Sequence, residues 1–134
     1  MKIFFALMTF LIVSGNNLKI HDAWMRPGAE KMGTALYFTI ENTSNEPDTL
    51  YKVTSNISEN IQIHETYREG ELNGMREIKQ LVIEPNSTIE FKPGSYHIMV
   101  MKLKKNILKG DKAEFTLYFS KAGEMKIEAV AKVD

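Results

Sequence analysis

The sequence contains no cysteine among its 134 residues. This absence excludes disulfide bonds, cysteine nucleophiles and thiolate metal ligands, and it leaves no thiol for the acyl anchor of a lipoprotein. It also excludes a blue-copper electron-transfer centre, because such a centre needs a Cys thiolate. The stability of the protein must therefore come from an apolar core, for which the hydrophobic content of 43% is ordinary.

The chain also lacks an excess of charge and any long apolar run. It has 17 basic and 17 acidic residues, so neither a nucleic acid nor an anionic membrane surface is an expected partner. The longest apolar stretch, residues 3–13, is interrupted only by Thr9 and is far shorter than the roughly 20 residues that span a bilayer.

The position of that stretch predicts export. It follows Lys2 and precedes the small residues Ser14 and Gly15, which is the pattern of a secretory signal peptide cleaved near Gly15. We therefore predict a signal peptide over residues 1–15 and one domain over residues 16–134. The mature protein is expected in the periplasm without a membrane anchor.

Alternation of apolar and polar residues predicts an all-β protein. No segment has the periodicity of an amphipathic helix, and about eight to ten short strands separated by turn residues indicate a Greek-key, antiparallel β-sandwich or barrel. The predicted strands are 18–25, 33–42, 50–54, 60–67, 75–79, 81–84, 88–92, 96–101, 114–119 and a last one around 125–129.

Two histidines and two methionines form the candidate site. In strand 96–101, Ile98 and Val100 alternate onto the core face, so His97 and Met99 are predicted on the outward face, roughly 6.6 Å apart along the strand. Inward Ile63 likewise places His64 outward.

The position of Met75 depends on the hairpin that follows His64. A two-residue turn at Glu69-Gly70 would place Met75 directly opposite His64, on the same face. Asn73-Gly74 is a stronger turn signal and would separate the two, although a longer loop could still carry Met75 over the site.

Imidazoles with thioethers are a soft to borderline ligand set. Thioethers favour Cu(I), whereas Zn²⁺ prefers Cys, His and carboxylate, and Ca²⁺ prefers oxygen. Nucleophilic catalysis would have to reuse the same histidines, so we predict that the protein is not an enzyme. Two alternatives stay open: a small copper oxidoreductase, and a metal-free β-sandwich interaction module.

The spacing of these four residues resembles that of a known family. His64, ten residues, Met75, twenty-one residues, His97, one residue and Met99 is similar to the ligand signature of the PCu(A)C periplasmic copper chaperones. The stretches 22–26, 42–50, 91–103 and 110–111 also resemble that family, so the resemblance extends over nearly the whole predicted mature chain.

The resemblance implies a cupredoxin-like Greek-key sandwich that holds Cu(I) through His64, Met75, His97 and Met99. It also implies delivery of copper to an extracytoplasmic acceptor, typically cytochrome c oxidase. Copper sequestration for tolerance is the alternative within the same family. Some family members have a His- and Met-rich C-terminal tail; this sequence ends at Asp134 without one, so a second, Cu(II) site is not implied.

Overall fold

The computed structural model describes residues 13–15 and 17–133. Within these residues the chain forms eleven β-strands and no helix, and therefore no helix that could cross a membrane. The all-β prediction is confirmed. The strands are Val13–Gly15 (β1), Leu18–Met25 (β2), Thr34–Asn42 (β3), Asp48–Ser55 (β4), Asn60–Glu69 (β5), Leu72–Glu77 (β6), Leu81–Ile83 (β7), Ser87–Glu90 (β8), Tyr96–Met101 (β9), Lys112–Phe119 (β10) and Gly123–Ala131 (β11).

The strands pair in the order β6-β5-β9-β3-β2-β11-β10-β4-β7, with β1 added to β2 and β8 added to β3. All pairs but one are antiparallel; β11 runs parallel to the end of β2. Strand β3 divides the sheet, because Thr34–Leu36 pair with β9 whereas Thr39–Asn42 pair with β8. The two branches diverge from one edge of β3, and this arrangement places β9, β5 and β6 together at one end of the strand order.

The core follows the alternation in the sequence. The side chains of Phe38, Ile98 and Phe115 are each at most 1% exposed, and Phe38 stacks on Phe91 with ring centroids 4.4 Å apart. Burying one such side chain contributes about 1.5–3 kcal/mol to folding. The alternating core residues of β9 therefore fix which side of that strand faces away from the core.

The predicted signal peptide lies mostly outside the described residues, and its cleavage stays a prediction. Its last three residues are described, and Val13–Gly15 pair with Leu18–Ile20 across a turn that contains Asn17. Asn17, with φ 109°, turns the chain back between these segments, a conformation that asparagine tolerates better than most residues.

The turn between β3 and β4 is built on the buried side chain of Asn42. Its amide nitrogen donates to the carbonyl oxygens of Glu46 and Ile83, at 2.9 and 3.1 Å, and its oxygen accepts from the backbone N–H and the hydroxyl of Ser44. One side chain thus bonds three polar groups of the loop and one carbonyl oxygen of β7, which ties the loop to that strand.

Asp48 performs a similar role where β4 meets the β10–β11 hairpin. Its carboxylate, in a residue only 6% exposed, accepts backbone N–H groups of Thr49, Lys121 and Ala122 at 2.8, 2.8 and 2.9 Å. The side chain therefore holds the tight turn after Phe119 against the start of β4.

Candidate metal centre

Strand β5 lies between β9 and β6, and its pairing with β9 brings the candidate residues together. His64 is directly opposite His97, and Gln62 is directly opposite Met99. Directly opposed residues share a face of the sheet, with Cβ atoms about 4.5–5.5 Å apart. His64, His97 and Met99 consequently occupy one face of the sheet, and Ile98 packs into the core from the other face.

Met75 joins this face from β6, in a register that differs from the predicted one. The two-residue turn is Gly70-Glu71, not Glu69-Gly70, with Gly70 at φ 64°, a conformation that favours glycine. Met75 is therefore opposite Thr66 and not opposite His64, so the predicted direct pairing is wrong. Because the register differs by two residues, the face is unchanged, and Met75 stands diagonal to His64.

The alternative turn at Asn73-Gly74 is also wrong, since both residues lie within β6. Gly74 is needed there for space: a Cβ would come within 2.7 Å of the ring of Tyr67, which is opposite it. The guanidinium of Arg76 lies over the same ring, 4.6 Å from the ring centroid. The glycine thus indicates close packing of an aromatic ring on the strand that presents Met75.

The two imidazoles are in contact, with ring centroids 5.5 Å apart and an interplanar angle of 64°. His97 is only 5% exposed, so the expectation that it stands open on an outward face is wrong. The alternation of β9 correctly turns His97 away from the core. His64 from β5 and the turn before β9 contribute to covering it, and these contacts are tertiary.

That turn fixes the ring of His97. Gly94, with φ 84°, follows Pro93 in a turn closed by a 3.0 Å hydrogen bond from the Ser95 N–H to the Lys92 carbonyl oxygen. The carbonyl oxygen of Ser95 accepts His97 Nδ1–H at 3.2 Å and also the backbone N–H of Thr66 at 3.2 Å. A proton held on Nδ1 leaves the lone pair of His97 Nε2 for a ligand.

His64 is hydrogen-bonded through the other ring nitrogen, Nε2. Its Nε2–H donates to Gln62 Oε1 at 2.8 Å, and its Nδ1 is buried without a hydrogen-bond partner among the described residues. Burial, together with the neighbouring charge of His97, lowers the pKa of His64 below 6.5, although Glu77 opposes this shift. The neutral ring is therefore favoured, and its orphaned nitrogen has the chemistry of a metal ligand.

A surface cavity of about 550 Å³ opens beside the imidazole of His97. Met75, which is 55% exposed, is at its rim, and His64 does not line it. The lining residues come from four strands and two turns around the site: Arg26, Pro27, Gly33, Thr34, Ala35, Tyr37, Thr66, Met75, Pro93, Gly94, His97 and Met99. Three of the four candidate ligands are thus reachable from solvent through one opening.

Oxygen-rich metal sites are not found in the described part of the chain. No group of three or more His, Asp or Glu side chains there is placed to hold a metal ion. The third histidine, His21, is engaged elsewhere, by Asp22 at 2.9 Å and Glu41 at 2.6 Å. Burial alone would lower the pKa of His21, but the hydrogen bonds and charges of these two carboxylates outweigh it and raise that pKa above 6.5.

Two residues that hold the imidazoles, Gln62 and Ser95, were not identified from the sequence. Gln62 could have been noticed, because it shares the face of His64 two positions earlier on the same strand. Ser95 acts through its backbone carbonyl oxygen, which any residue would supply, so its side chain gives no signal.

The fold and the paired imidazole–thioether face define a class: a cupredoxin-like β domain of the metal-binding kind. The profile of the LpqE-like family, described as "Putative lipoprotein LpqE-like", matches residues 18–131. The chain therefore belongs to this family, which is the PCuAC-type family, and the resemblance stated from the sequence is confirmed.

Two curated proteins are similar to this chain in sequence. The chain is 34% identical over 101 residues to "Uncharacterized protein RP573" of Rickettsia prowazekii, covering 72% of this chain and 56% of that protein. It is 31% identical over 106 residues to "Putative lipoprotein Lxx21020" of Leifsonia xyli subsp. xyli, covering 78% and 63%. The chain thus spans less than two thirds of the length of these curated relatives.

A solved structure has the same fold. The "Copper-bound PCuAC domain from PmoF2" superposes with a TM-score of 0.78 at 28% identity, covering 95% of this chain and all of that domain. The bound copper in its name is a property of that domain.

Proposed function

We propose that this protein is an exported copper chaperone that holds Cu(I) with His64, Met75, His97 and Met99. The observation that carries the proposal is the buried, unpartnered Nδ1 of His64 beside the ring of His97. A buried acceptor without a partner costs about 1–3 kcal/mol, and a bound cation would remove that cost. The copper-bound PCuAC relative supports the choice of metal.

The donor set supports the Cu(I) state. Two thioethers and two imidazoles carry no negative charge as metal ligands and are soft to borderline, which suits a monovalent soft ion. Burial lowers the pKa of His64, which favours the neutral ring that metal ligation requires. With four donors reaching one side of β5, β6 and β9, a metal-free interaction module is the less favoured alternative.

Uneven exposure of the donors supports transfer of the ion to a partner. Met75 lies on β6, which is at one end of the strand order, and is 55% exposed, whereas His97 is 5% exposed. An incoming thioether or imidazole of an acceptor can replace Met75 first, while His97 still holds the ion. A carrier needs such ligand exchange and needs no catalytic group.

The proposed location rests on the predicted signal peptide over residues 1–15, which precedes the copper-binding domain over residues 16–134. The family description as a lipoprotein family supports export, although this sequence has no cysteine to be acylated. We propose the periplasm as its location, and a cytochrome c oxidase subunit as its acceptor. Sequestration of copper for tolerance is the alternative role.

The ligand set is tested by anaerobic titration with Cu(I) against a competing chelator. We expect one tightly bound ion, with affinity reduced more than about tenfold in His97→Ala and in Met99→Leu. Met101→Leu is the matched control for the second variant, because Met101 lies two residues further on β9. Equal affinity of Met99→Leu and wild type would contradict the ligand set, and X-ray absorption on the loaded protein should show both N and S ligands.

The carrier role is tested separately by mixing the loaded protein with the copper-binding domain of an oxidase subunit. Movement of Cu(I) to that domain supports the chaperone function. Retention of the ion in the presence of excess acceptor would favour sequestration. Steady consumption of O₂ by the loaded protein would instead identify an oxidoreductase.

A further inference from the structure

We infer that Gln62 is a positioning residue that selects the tautomer of His64 and makes Nδ1 its metal-binding atom. This inference rests on the proposed copper function. Gln62 and His64 are two positions apart on β5, share one face of the sheet, and are both half-buried. The side chain of Gln62 is directly opposite Met99, so it borders two of the four proposed ligands.

The hydrogen bond supplies the mechanism. Gln62 Oε1 accepts His64 Nε2–H at 2.8 Å, so in the neutral ring the proton resides on Nε2 and the lone pair on Nδ1. The Nδ1 atom is buried and has no hydrogen-bond partner among the described residues. Without the amide oxygen, the proton would be free to move to Nδ1 and would block the ligating lone pair.

The two imidazoles therefore present different nitrogens to one ion. At His97 a backbone carbonyl oxygen, that of Ser95, holds the Nδ1 proton and leaves Nε2 to bind. At His64 a side chain holds the Nε2 proton and leaves Nδ1 to bind. A backbone acceptor survives any substitution of its residue, whereas the acceptor for His64 depends on the identity of residue 62.

The first test measures the tautomer in the metal-free protein, so it does not depend on copper. Long-range ¹H–¹⁵N spectra at a pH where the His64 ring is neutral should show His64 with a pyridine-like Nδ1 and a protonated Nε2. We expect Gln62→Leu and Gln62→Asn to shift both ¹⁵N signals of His64 toward a mixture of tautomers, since leucine has no acceptor and asparagine is too short. Gln62→Glu should restore the wild-type pattern, because it keeps an acceptor at the same reach.

The matched control is Gln80→Leu, which makes the same substitution at an exposed glutamine after β6. It should leave the His64 signals unchanged. Dispersed amide spectra establish that each variant is folded, and Gln62→Asn and Gln62→Glu provide the test if the leucine variant is not. Unchanged His64 signals in folded Gln62→Leu or Gln62→Asn would overturn the inference.

The second test measures Cu(I) affinity by chelator competition. Loss of an outer-shell partner should weaken binding about 10–100-fold in Gln62→Leu, with Gln62→Glu and Gln80→Leu close to wild type. Wild-type affinity in Gln62→Leu would overturn the role of Gln62 while leaving the proposed function intact. Failure of wild type to bind Cu(I) would overturn the proposed function, and the spectra would still report whether Gln62 sets the tautomer.

Discussion

Replacing Asp48 by alanine should destabilise the protein by about 3 kcal/mol. The substitution leaves three backbone N–H groups, those of Thr49, Lys121 and Ala122, without their carboxylate acceptor. Each lost bond of this kind costs about 1 kcal/mol or more when the donor stays buried, and we take the lower value because the turn borders solvent. For a domain of this size, about 4 °C per kcal/mol gives a decrease in Tm of roughly 12 °C.

Urea denaturation monitored by tryptophan fluorescence measures the effect, with an unchanged m-value as the sign that the denatured state is the same. Asp48→Asn keeps one acceptor oxygen and should lose about half as much stability. Asp111→Ala is the control, because that carboxylate accepts one exposed backbone N–H, from Leu108, and its loss should cost less than about 1 kcal/mol. A cost below about 1 kcal/mol for Asp48→Ala would refute the reasoning from hydrogen-bond count.

Three further predictions follow from the site and its supports. Because the pKa of His21 is raised in the folded state, the contribution of His21 to stability is present below pH 6.5 and is lost as the pH rises through the raised pKa. In urea melts, the stability difference between wild type and His21→Gln should therefore shrink with rising pH. A pH-independent difference would contradict this prediction. Gly74→Ala should displace the Tyr67 ring and cost about 1–2 kcal/mol, including its cation–π contact, as measured by thermal unfolding with Asn73→Ala as control. Met75→Leu should weaken Cu(I) binding and speed the transfer of bound Cu(I) in stopped-flow mixing with an acceptor, because the position that the acceptor's ligand enters is already vacant. Unaltered transfer from the loaded variant would show that exchange does not begin at this residue.

Sequence alternation predicted the faces of the site strands because the side-chain period of a strand is a local property. Ile98 and Val100 are buried, so His97 and Met99 share the other face of β9. The same argument placed His64 on the face of β5 that points away from Ile63. For Met75 the predicted face was correct although the predicted register was not, because a register error of two residues conserves the face.

The turn of the β5–β6 hairpin was misplaced because turn residues have more than one structural use. Asn73-Gly74 has the composition of a tight turn, yet Gly74 is a strand residue that makes room for Tyr67. The turn at Gly70-Glu71 has one glycine at positive φ and no other marker. Choosing between them requires knowing that an aromatic ring crosses the strand, which is a cross-strand contact.

The amino-acid sequence by itself determined the candidate donors of this protein: no thiolate, and two thioethers and two imidazoles on strands whose core residues orient them to one side. Tertiary structure decided the remainder. It paired His64 with His97, which is 33 residues further along the chain, buried His97, and used Gln62 and the Ser95 carbonyl to hold opposite nitrogens of the two rings. The physical reason is that alternation is set by neighbours along the chain, whereas register, burial and tautomer are set by groups that meet only when distant strands pair.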